Sequence, residues 1–243
     1  MNKELYEADM ECVSRAWDSN IRIRANDLEC GTDITYTNVI LPWTLREVSR
    51  LSTEKSSILD IGCGCGYLTN AIYQSGRPDI RGIDISPISI AYAQTKYPHI
   101  SFLQQNFYSL PLNKNYNLCL AVMTLNNMPD MSAFFEVAHA ILCNGGYLII
   151  ILPHPCFWTE KHISTNEFQY MMEKSYKTTF STKGRKDYNS PILYFHRPIE
   201  SYLRCIREHG FSVTLCQELV ESPTETIPDL LGMVLTKSAL SEY

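Results

Sequence analysis

Residues 58–66, with the sequence ILDIGCGCG, constrain the fold of this chain more than any other segment. A short strand-like run is followed at once by three glycines at alternating positions and then by a helix-like stretch over 67–74. Glycines at such a turn let the backbone change direction sharply and let a ligand lie directly on it. The segment therefore predicts a strand, a ligand-binding turn and a helix.

The same alternation continues along the 243 residues. Strands are predicted at 58–61, 80–85, 100–103, 118–123 and 147–152, and helices at 67–74, 87–96 and 134–142, the last ending at the Asn-Gly-Gly of 144–146. Strands that alternate with helices form a parallel sheet covered on both faces. A helix over 199–209 and two closely spaced strands at 211–219 and 230–236 add an antiparallel pair. We therefore predict an α/β, Rossmann-like, doubly wound sheet.

Composition excludes several classes of protein. The 26 acidic and 21 basic side chains give a net charge of -5, so a nucleic-acid partner is disfavoured. The first 20 residues lack the apolar run of a signal peptide, and the longest apolar stretch, 147–152, is far shorter than a membrane span. Nine cysteines without a CxxC pair predict neither a disulfide framework nor a zinc site. We expect a cytoplasmic protein.

The spacing of charged residues around the glycines indicates the ligand. A dinucleotide fingerprint would need a glycine at 67, where the chain has Tyr67, so NAD is disfavoured. Asp60 precedes the glycines and would face the positive end of a ligand. Asp84 ends the second strand, where its two oxygens could accept hydrogen bonds from a ribose diol. A nucleoside that carries an amino acid fits both positions.

These residues resemble those of the class I S-adenosylmethionine-dependent methyltransferases, and HPCF at 154–157 and FHRP at 195–198 are similar to a bacterial small-molecule, type 11-like subgroup. The resemblance covers 57–152 continuously and 195–236 more loosely. It implies S-adenosylmethionine as cofactor and a seven-stranded, mostly parallel sheet with an antiparallel C-terminal hairpin and a helical, aromatic cap. The implied cofactor-binding residues are Asp60, Gly62, Gly64, Gly66, Asp84, Ile85 beside the adenine, Asn106 where Asp is common, Phe107, and Met123 near the sulfonium.

The resemblance also implies a division of the chain. Residues 1–243 form one methyltransferase domain, in which 1–51 are an N-terminal helical cap and 155–190 an inserted substrate lid. The implied acceptor-binding residues are Trp17, Phe157, Trp158, Tyr194 and Arg197. Aromatic side chains in these segments suit a flat or bulky apolar acceptor, although they could equally pack a small cap. Arg197 could bind an acceptor anion or form a structural salt bridge.

A sulfonium methyl group is already an activated electrophile, so most of the catalysis can come from positioning the acceptor. If the acceptor must lose a proton, His154 beyond the fifth strand and His196 before the last helix are the candidate bases, with structural roles as the alternative. Asn126, Asn127 and Asp130 could hold a metal, but such turns commonly bond their own backbone, so we expect none.

The leading hypothesis is methyl transfer to an oxygen or nitrogen atom of a small molecule. One alternative is RNA methylation, with the basic residues of 183–186 on the binding face. Another is a catalytically silent module that binds the cofactor or a partner.

Overall fold

The computed structural model describes residues 3–112, 115–157, 168–182, 184–186, 188–222 and 224–238, without the side chains of 3–9. The helices are α1 (Lys3–Glu29), α2 (Leu41–Leu51), α3 (Tyr67–Gln74), α4 (Pro87–Lys96), α5 (Met131–Ile141) and α6 (Ile199–Glu208). The strands are β1 (Ile58–Ile61), β2 (Ile80–Asp84), β3 (Ser101–Gln104), β4 (Tyr116–Val122), β5 (Leu142–Pro153), β6 (Lys174–Thr179), β7 (Pro191–His196), β8 (Phe211–Leu219) and β9 (Leu230–Lys237). A π-helical turn, Tyr36–Ile40, leads into α2.

Seven strands form the main sheet, in the order β3-β2-β1-β4-β5-β9-β8. The first five pair in parallel, whereas β9 runs antiparallel to both β5 and β8. This arrangement confirms the predicted mostly parallel sheet with its antiparallel hairpin. Chain order reverses between β1 and β4, and open α/β sheets bind ligands beyond the strand ends at such a point.

The interior of the sheet explains why β4 reads as a continuous apolar run. Leu118 and Leu120 pack on the face covered by α1, α2 and α3, while Cys119 and Ala121 pack on the face covered by α5 and α6. Successive side chains of a strand point to opposite faces, so a strand covered on both sides needs apolar residues throughout.

Two local features differ from the sequence prediction. Helix α5 ends at Ile141, and the glycines of 144–146 lie inside β5, where Gly145 has a φ of 73° and the pairing with β4 shifts between Tyr116 and Leu118. The glycines thus form an irregularity in a strand instead of ending the helix. The small sheet was also not predicted: β6 lies within the segment 155–190, β7 follows it, and the two strands pair antiparallel.

No helix in the described part of the chain is both long and apolar enough to cross a bilayer.

Candidate functional site

The glycine loop lies between β1 and α3, at the reversal point of the sheet. Gly62, Gly64 and Gly66 all have positive φ, at 71°, 53° and 77°. A Cβ atom on Gly62 would lie 2.4 Å from the Thr124 side chain, whereas one on Gly64 would meet nothing closer than the Ile21 Cδ1 at 4.0 Å. Gly62 therefore allows the loop to pack against the end of β4, and Gly64 leaves bare backbone facing open space.

Asp84 ends β2 beside this loop. Its Oδ2 accepts a hydrogen bond from the Gly64 N–H at 2.8 Å, and its Oδ1 accepts one from the Ser86 N–H at 2.8 Å. Each carboxylate oxygen can accept a second hydrogen bond, so two hydroxyl groups of a ligand could still bind. Burial raises the pKa of Asp84, whereas the hydrogen bonds from the Ser86 and Gly64 N–H groups favour the charged form and oppose this rise.

Asp60 lies behind the glycine loop and is only 2% exposed. Its Oδ2 accepts a hydrogen bond from the Thr69 hydroxyl at 2.6 Å. Burial raises the pKa of Asp60 to about 7, and the nearby charge of Asp84 adds to the rise. Its predicted contact with the positive end of the ligand stays a prediction, because Asp60 is not among the described residues that line the open space.

That open space is a crevice with an empty volume of about 990 Å³, its mouth included. The elements around it are α1, the π-helical turn, the glycine loop, the start of α3 and the ends of β2, β3 and β4. Its lining residues are Met10, Val13, Trp17, Ile21, Arg24, Leu28, Tyr36, Ile61, Gly62, Cys63, Gly64, Cys65, Tyr67, Leu68, Ile83, Asp84, Ile85, Ser89, Gln105, Phe107, Val122, Met123, Thr124, Asn127 and Met128.

Beyond β2 and β3, two predicted cofactor-binding residues line the crevice, while the side chain of a third bonds the backbone instead. Ile85 and Phe107 line the crevice. Asn106 lies between two lining residues, but its Oδ1 caps a short 3-10 turn by accepting the Tyr108 N–H at 3.1 Å. Gln105 is the polar residue of the lining here, and its Nε2 donates to the carbonyls of Asn106 at 3.1 Å and Ser109 at 3.2 Å. Sequence reasoning missed it, because the motif fixes the strand end but not which of two adjacent polar residues faces the ligand.

Met123 follows β4 and has a φ of 57°. It is the one non-glycine residue with positive φ in the described part of the chain. Its N–H donates to the Ile151 carbonyl at 2.7 Å, which fixes the residue against β5. Left-handed backbone at a non-glycine residue costs of order 1–3 kcal/mol and persists where surrounding contacts determine it. The resulting turn brings Met123 and Thr124 to the crevice.

One face of α1 covers the crevice. Six residues at helical spacing line it, namely Met10, Val13, Trp17, Ile21, Arg24 and Leu28. The helix is tied at both sides: the Ser86 hydroxyl donates to Asp18, and Asn20 exchanges hydrogen bonds with the backbone of Ser190, at 2.8 and 3.0 Å. The Trp17 ring lies 5.4 Å from that of Phe180. Of the predicted acceptor-binding residues, Trp17 is the one that the described lining contains.

The two candidate bases lie elsewhere. His154 and His196 are each 1% exposed, and the described lining of the crevice contains neither. The Nδ1 of His154 accepts the Cys156 N–H at 3.3 Å, and its Nε2 lies 3.4 Å from the Glu218 carboxylate. The Nε2 of His196 lies 2.8 Å from the Tyr170 carbonyl. Burial lowers the pKa of both imidazoles.

The remaining predicted acceptor residues are also outside the described lining. Tyr194 is 1% exposed and packs with Tyr176 and Phe168 in the small sheet, while the Phe157 ring stacks 4.7 Å from that of His154. Trp158 lies outside the described residues.

Arg197 is 4% exposed and holds the turn that follows β4. Its guanidinium donates to the carbonyls of Met128 at 2.6 Å, Pro129 at 2.8 Å and Leu125 at 3.5 Å. These contacts are hydrogen bonds to backbone carbonyls, and a role of Arg197 in binding an acceptor anion stays a prediction.

The residues at the crevice suit an adenosyl amino acid. Asp84 offers acceptors for two hydroxyl groups, the space between Ile85 and Phe107 is apolar, and Gly64 leaves room for a ligand against the backbone.

Comparison with known proteins assigns the family. Residues 52–196, more than half of the chain, match the family model described as a methyltransferase domain. The chain belongs to this family. The match confirms the resemblance seen in the sequence. The cofactor is S-adenosylmethionine.

The individual proteins that this chain resembles match only part of its length or share little of its sequence. A demethylmenaquinone methyltransferase from Chlorobaculum tepidum is 30% identical over 101 residues, which are 41% of this chain and 42% of that protein, so the match spans less than half of either. A methyltransferase structure from Mesorhizobium loti has a TM-score of 0.64 at 19% identity, covering 79% of this chain and 96% of that one. The 1,6-didemethyltoxoflavin-N1-methyltransferase of Burkholderia thailandensis, solved with S-adenosylhomocysteine, has a TM-score of 0.61 at 15% identity, covering 98% and 92%. The two structures share the fold.

Proposed function

We propose that this protein transfers the methyl group of S-adenosylmethionine to an oxygen or nitrogen atom of a small molecule that is aromatic or bulky and apolar. The observation that carries the proposal is the lining of the crevice. The space runs from Asp84 beneath α1 to the turn after β4, and its wall on the α1 side includes Met10, Val13 and Trp17. Such walls favour an acceptor with a large apolar surface.

Positioning supplies the catalysis in this proposal. The bound cofactor provides an activated methyl group as the electrophile. The chain's own task is to hold an acceptor in line with that group and to keep water away. Helix α1 serves the second task, because Asp18 and Asn20 tie it across the opening.

Asn127 is the polar side chain that we assign to the acceptor. It lines the crevice at the turn after β4, close in sequence to Met123 and Thr124. Its Nδ2 donates to the Leu193 carbonyl at 2.6 Å, and its Oδ1 accepts from Asn126 at 3.3 Å. These bonds hold the amide in one orientation. The second lone pair of Oδ1 can accept a hydrogen bond from an N–H or O–H group of the acceptor.

The burial and hydrogen bonds of His154 and His196 favour structural roles for both. A base role for either stays a prediction. We therefore propose proximity without a histidine base: the bond from the methyl group to sulfur breaks as the bond to the acceptor atom forms, and the methylated product loses its proton to solvent when it leaves the crevice.

The names of the relatives support a small-molecule acceptor without selecting one. They include a demethylmenaquinone, a trans-aconitate and a 1,6-didemethyltoxoflavin methyltransferase. Methylation of RNA is less well supported, because Arg185 of the basic segment donates to the Asp27 carboxylate at 2.9 Å and is thus engaged within the protein. Lys183 lies outside the described residues.

The proposal is tested by incubating the protein with S-adenosylmethionine labelled in its methyl group and three separate sets of acceptors: phenols and heterocyclic amines, polycarboxylic acids, and total RNA. Label should appear in the first set alone and should disappear with the Asp84→Ala variant. Replacing Trp17 by Ala should weaken use of the best acceptor at least tenfold while cofactor affinity changes less than threefold. Label in the RNA or only in the polycarboxylic acids would refute the proposal.

A further inference from the structure

Asp27 lies near the end of α1, and its fully buried side chain faces the loop of residues 180–190 that joins β6 to β7. The Nε–H of Arg185 donates to both carboxylate oxygens, to Oδ1 at 2.9 Å and to Oδ2 at 3.0 Å, and the Tyr188 hydroxyl donates to Oδ2 at 2.9 Å. Burial raises the pKa of Tyr188 to about 12, so this hydroxyl stays protonated at neutral pH. A buried carboxylate without partners is costly, so Asp27 opposes any movement of the loop away from α1.

A second set of contacts joins the same loop to α1 about two turns earlier. Asn189 donates to the backbone of α1 at 3.0 Å, and Asn20 exchanges hydrogen bonds with the backbone of the loop at 2.8 and 3.0 Å. Asn20 and Asp27 are roughly 10 Å apart along the helix, at 1.5 Å per residue. The loop also approaches the chain just after α1, where a Cβ on Gly184 would lie 2.4 Å from the Thr32 carbonyl oxygen. Contacts at separate points fix both the distance and the direction of the loop relative to α1.

Phe180, at the start of this loop, connects it to the wall of the crevice. Its ring meets the Tyr188 ring edge to face, with the centroids 4.6 Å apart, and the Trp17 ring at 5.4 Å. The Arg24 guanidinium lies 5.4 Å from the centre of the same ring. Trp17 and Arg24 line the crevice, whereas the described lining does not contain Phe180. The Phe180 ring therefore packs behind the wall that these two side chains form.

Trp17 depends on this packing more than Arg24 does. The Trp17 side chain is only partly buried at the crevice, so the rings beside it set its orientation. Arg24 has supports outside the loop, because it pairs with the Asp33 carboxylate and lies 5.1 Å from the centre of the Tyr36 ring. A shift of the loop should therefore move Trp17 first.

We propose that Asp27 is a positioning residue for the acceptor, because its hydrogen bonds to the loop hold the Phe180 ring against Trp17. The inference rests on the proposed function, in which Trp17 forms part of the wall that contacts the acceptor. The described lining does not contain Asp27, so Asp27 acts on the acceptor through the loop and not by contact. Loss of Asp27 should raise the KM for the acceptor and leave the affinity for the cofactor nearly unchanged, since small displacements of a bound reactant are enough to slow its reaction.

Fluorine NMR of protein labelled with 5-fluorotryptophan tests the positioning without an acceptor. The chain has three tryptophans, so Trp17→Phe identifies the Trp17 signal, and Trp43, which is 4% exposed, serves as an internal reference. Asp27→Asn keeps the size of the side chain but loses the charge that pairs with Arg185. We expect the Trp17 signal to shift by more than its own linewidth while the Trp43 signal stays in place. Calorimetry with S-adenosylhomocysteine should show less than a twofold change in affinity.

Phe180→Ala is the second variant, for the case that Asp27→Asn fails to fold. It removes the ring beside Trp17 and should move the same signal. Glu29→Gln is the matched control on the same helix. Glu29 ties α1 to α4 instead of to the loop, because it accepts hydrogen bonds from Lys96 at 2.9 Å and Tyr92 at 2.8 Å. This control should leave the Trp17 signal in place.

Steady-state kinetics with the acceptor found by the labelling experiment, whatever its class, tests the consequence for the reaction. Asp27→Asn should raise the KM for that acceptor at least fivefold and change kcat less than twofold. A Trp17 signal that stays in place in both variants, or that moves equally in Glu29→Gln, would overturn the proposal. An equal loss of cofactor affinity and of acceptor use would overturn it as well, because Asp27 would then have a purely structural role. If no acceptor is methylated, the proposed function fails, whereas the fluorine signals still decide whether Asp27 positions Trp17.

Discussion

Two regions of the molecule carry the polar residues that the sequence singled out, and they use them differently. At the ends of β1 and β2, the glycine loop and Asp84 expose backbone and carboxylate oxygens to a crevice. In the chain after β5 and β7, the side chains of His154, His196 and Arg197 are buried and bonded within the protein.

The sheet order explains this difference. The described lining of the crevice includes residues that follow β1, β2, β3 and β4, whereas it includes none that follow β5 or β7, and β7 belongs to a separate small sheet. Whether a polar residue beyond a strand end can reach a ligand therefore depends on which strand it follows. Elsewhere the same residue types satisfy backbone groups of the loops that close the fold.

The largest expected effect concerns Arg197. If this effect is absent, the contrast between the crevice and the chain after β5 and β7 does not hold. Arg197→Met removes a charged donor from three carbonyls of the turn after β4. Hydrogen bonds to charged groups are worth about 1.5–3 kcal/mol each, so the free energy of unfolding in urea should fall by about 4 kcal/mol. Arg197→Lys, which can replace only part of this set, should lose about half as much. A loss below about 1 kcal/mol would mean that the guanidinium is available to a ligand.

Asp60 shares a feature with each region, because it belongs to the glycine motif at the crevice but its side chain is buried. Its pKa, raised from 3.8 to about 7 by burial, means that the folded protein keeps a proton that the unfolded chain releases. The stability contributed by the protonated form is present below pH 4 and is lost as the pH rises from about 4 to 7. Each pKa unit corresponds to about 1.4 kcal/mol, so the loss reaches at most about 4 kcal/mol.

Asp60→Asn removes this titration and can still accept the Thr69 hydroxyl. In the cofactor-free protein, the stability of the variant relative to the parent should therefore rise by about 3 kcal/mol between pH 5 and pH 8. Thermal unfolding at both pH values measures it. An unchanged difference would place the Asp60 carboxylate in contact with water or with a compensating charge.

Asp84→Ala sharpens the crevice side of the comparison. The substitution removes acceptors for two ribose hydroxyl groups and for the Gly64 and Ser86 amides. With about 1.5 kcal/mol for each lost ligand bond, affinity for S-adenosylhomocysteine should fall about a hundredfold in calorimetry. Glu54→Ala, which removes an exposed carboxylate before β1, is the matched control and should have no effect. A loss of less than threefold would show that the crevice does not bind a ribose at β2.

The sequence predicted most of this fold from periodicity. Strand β1 and helices α3 and α4 have the predicted bounds, because a buried parallel strand and a helix capped at a known turn leave little choice. Strand β6 was missed, because its exposed and polar residues, among them Lys174, Ser175 and Lys177, give no apolar alternation. The glycines of 144–146 were misread because a positive φ serves an irregular strand as well as a helix end.

The site was predictable only where a motif fixes the backbone. Gly62, Gly64 and Asp84 follow from the turn itself, and Trp17 from the aromatic character of the N-terminal helix. Arg24 was missed as a lining residue, since its place at the crevice depends on how α1 packs over the glycine loop and on its ion pair with Asp33, neither of which is a local property of the sequence. The burial of His154 and His196 likewise depends on tertiary structure and could not be predicted from their positions in the sequence.

The smallest expected effect concerns these two histidines. His196→Gln keeps a donor towards the Tyr170 carbonyl, whereas His196→Ala removes both that bond and the packing against Phe168, whose ring lies 4.8 Å away. A structural role predicts that Ala costs about 1–2 kcal/mol of stability and Gln less, with turnover of the identified acceptor within threefold of the parent in both. His154→Ala should likewise change turnover less than threefold. A base would behave differently, because Gln cannot take up a proton at neutral pH. A tenfold loss of turnover in His196→Gln or His154→Ala, with unchanged stability and cofactor affinity, would restore the base and end the distinction between the two regions.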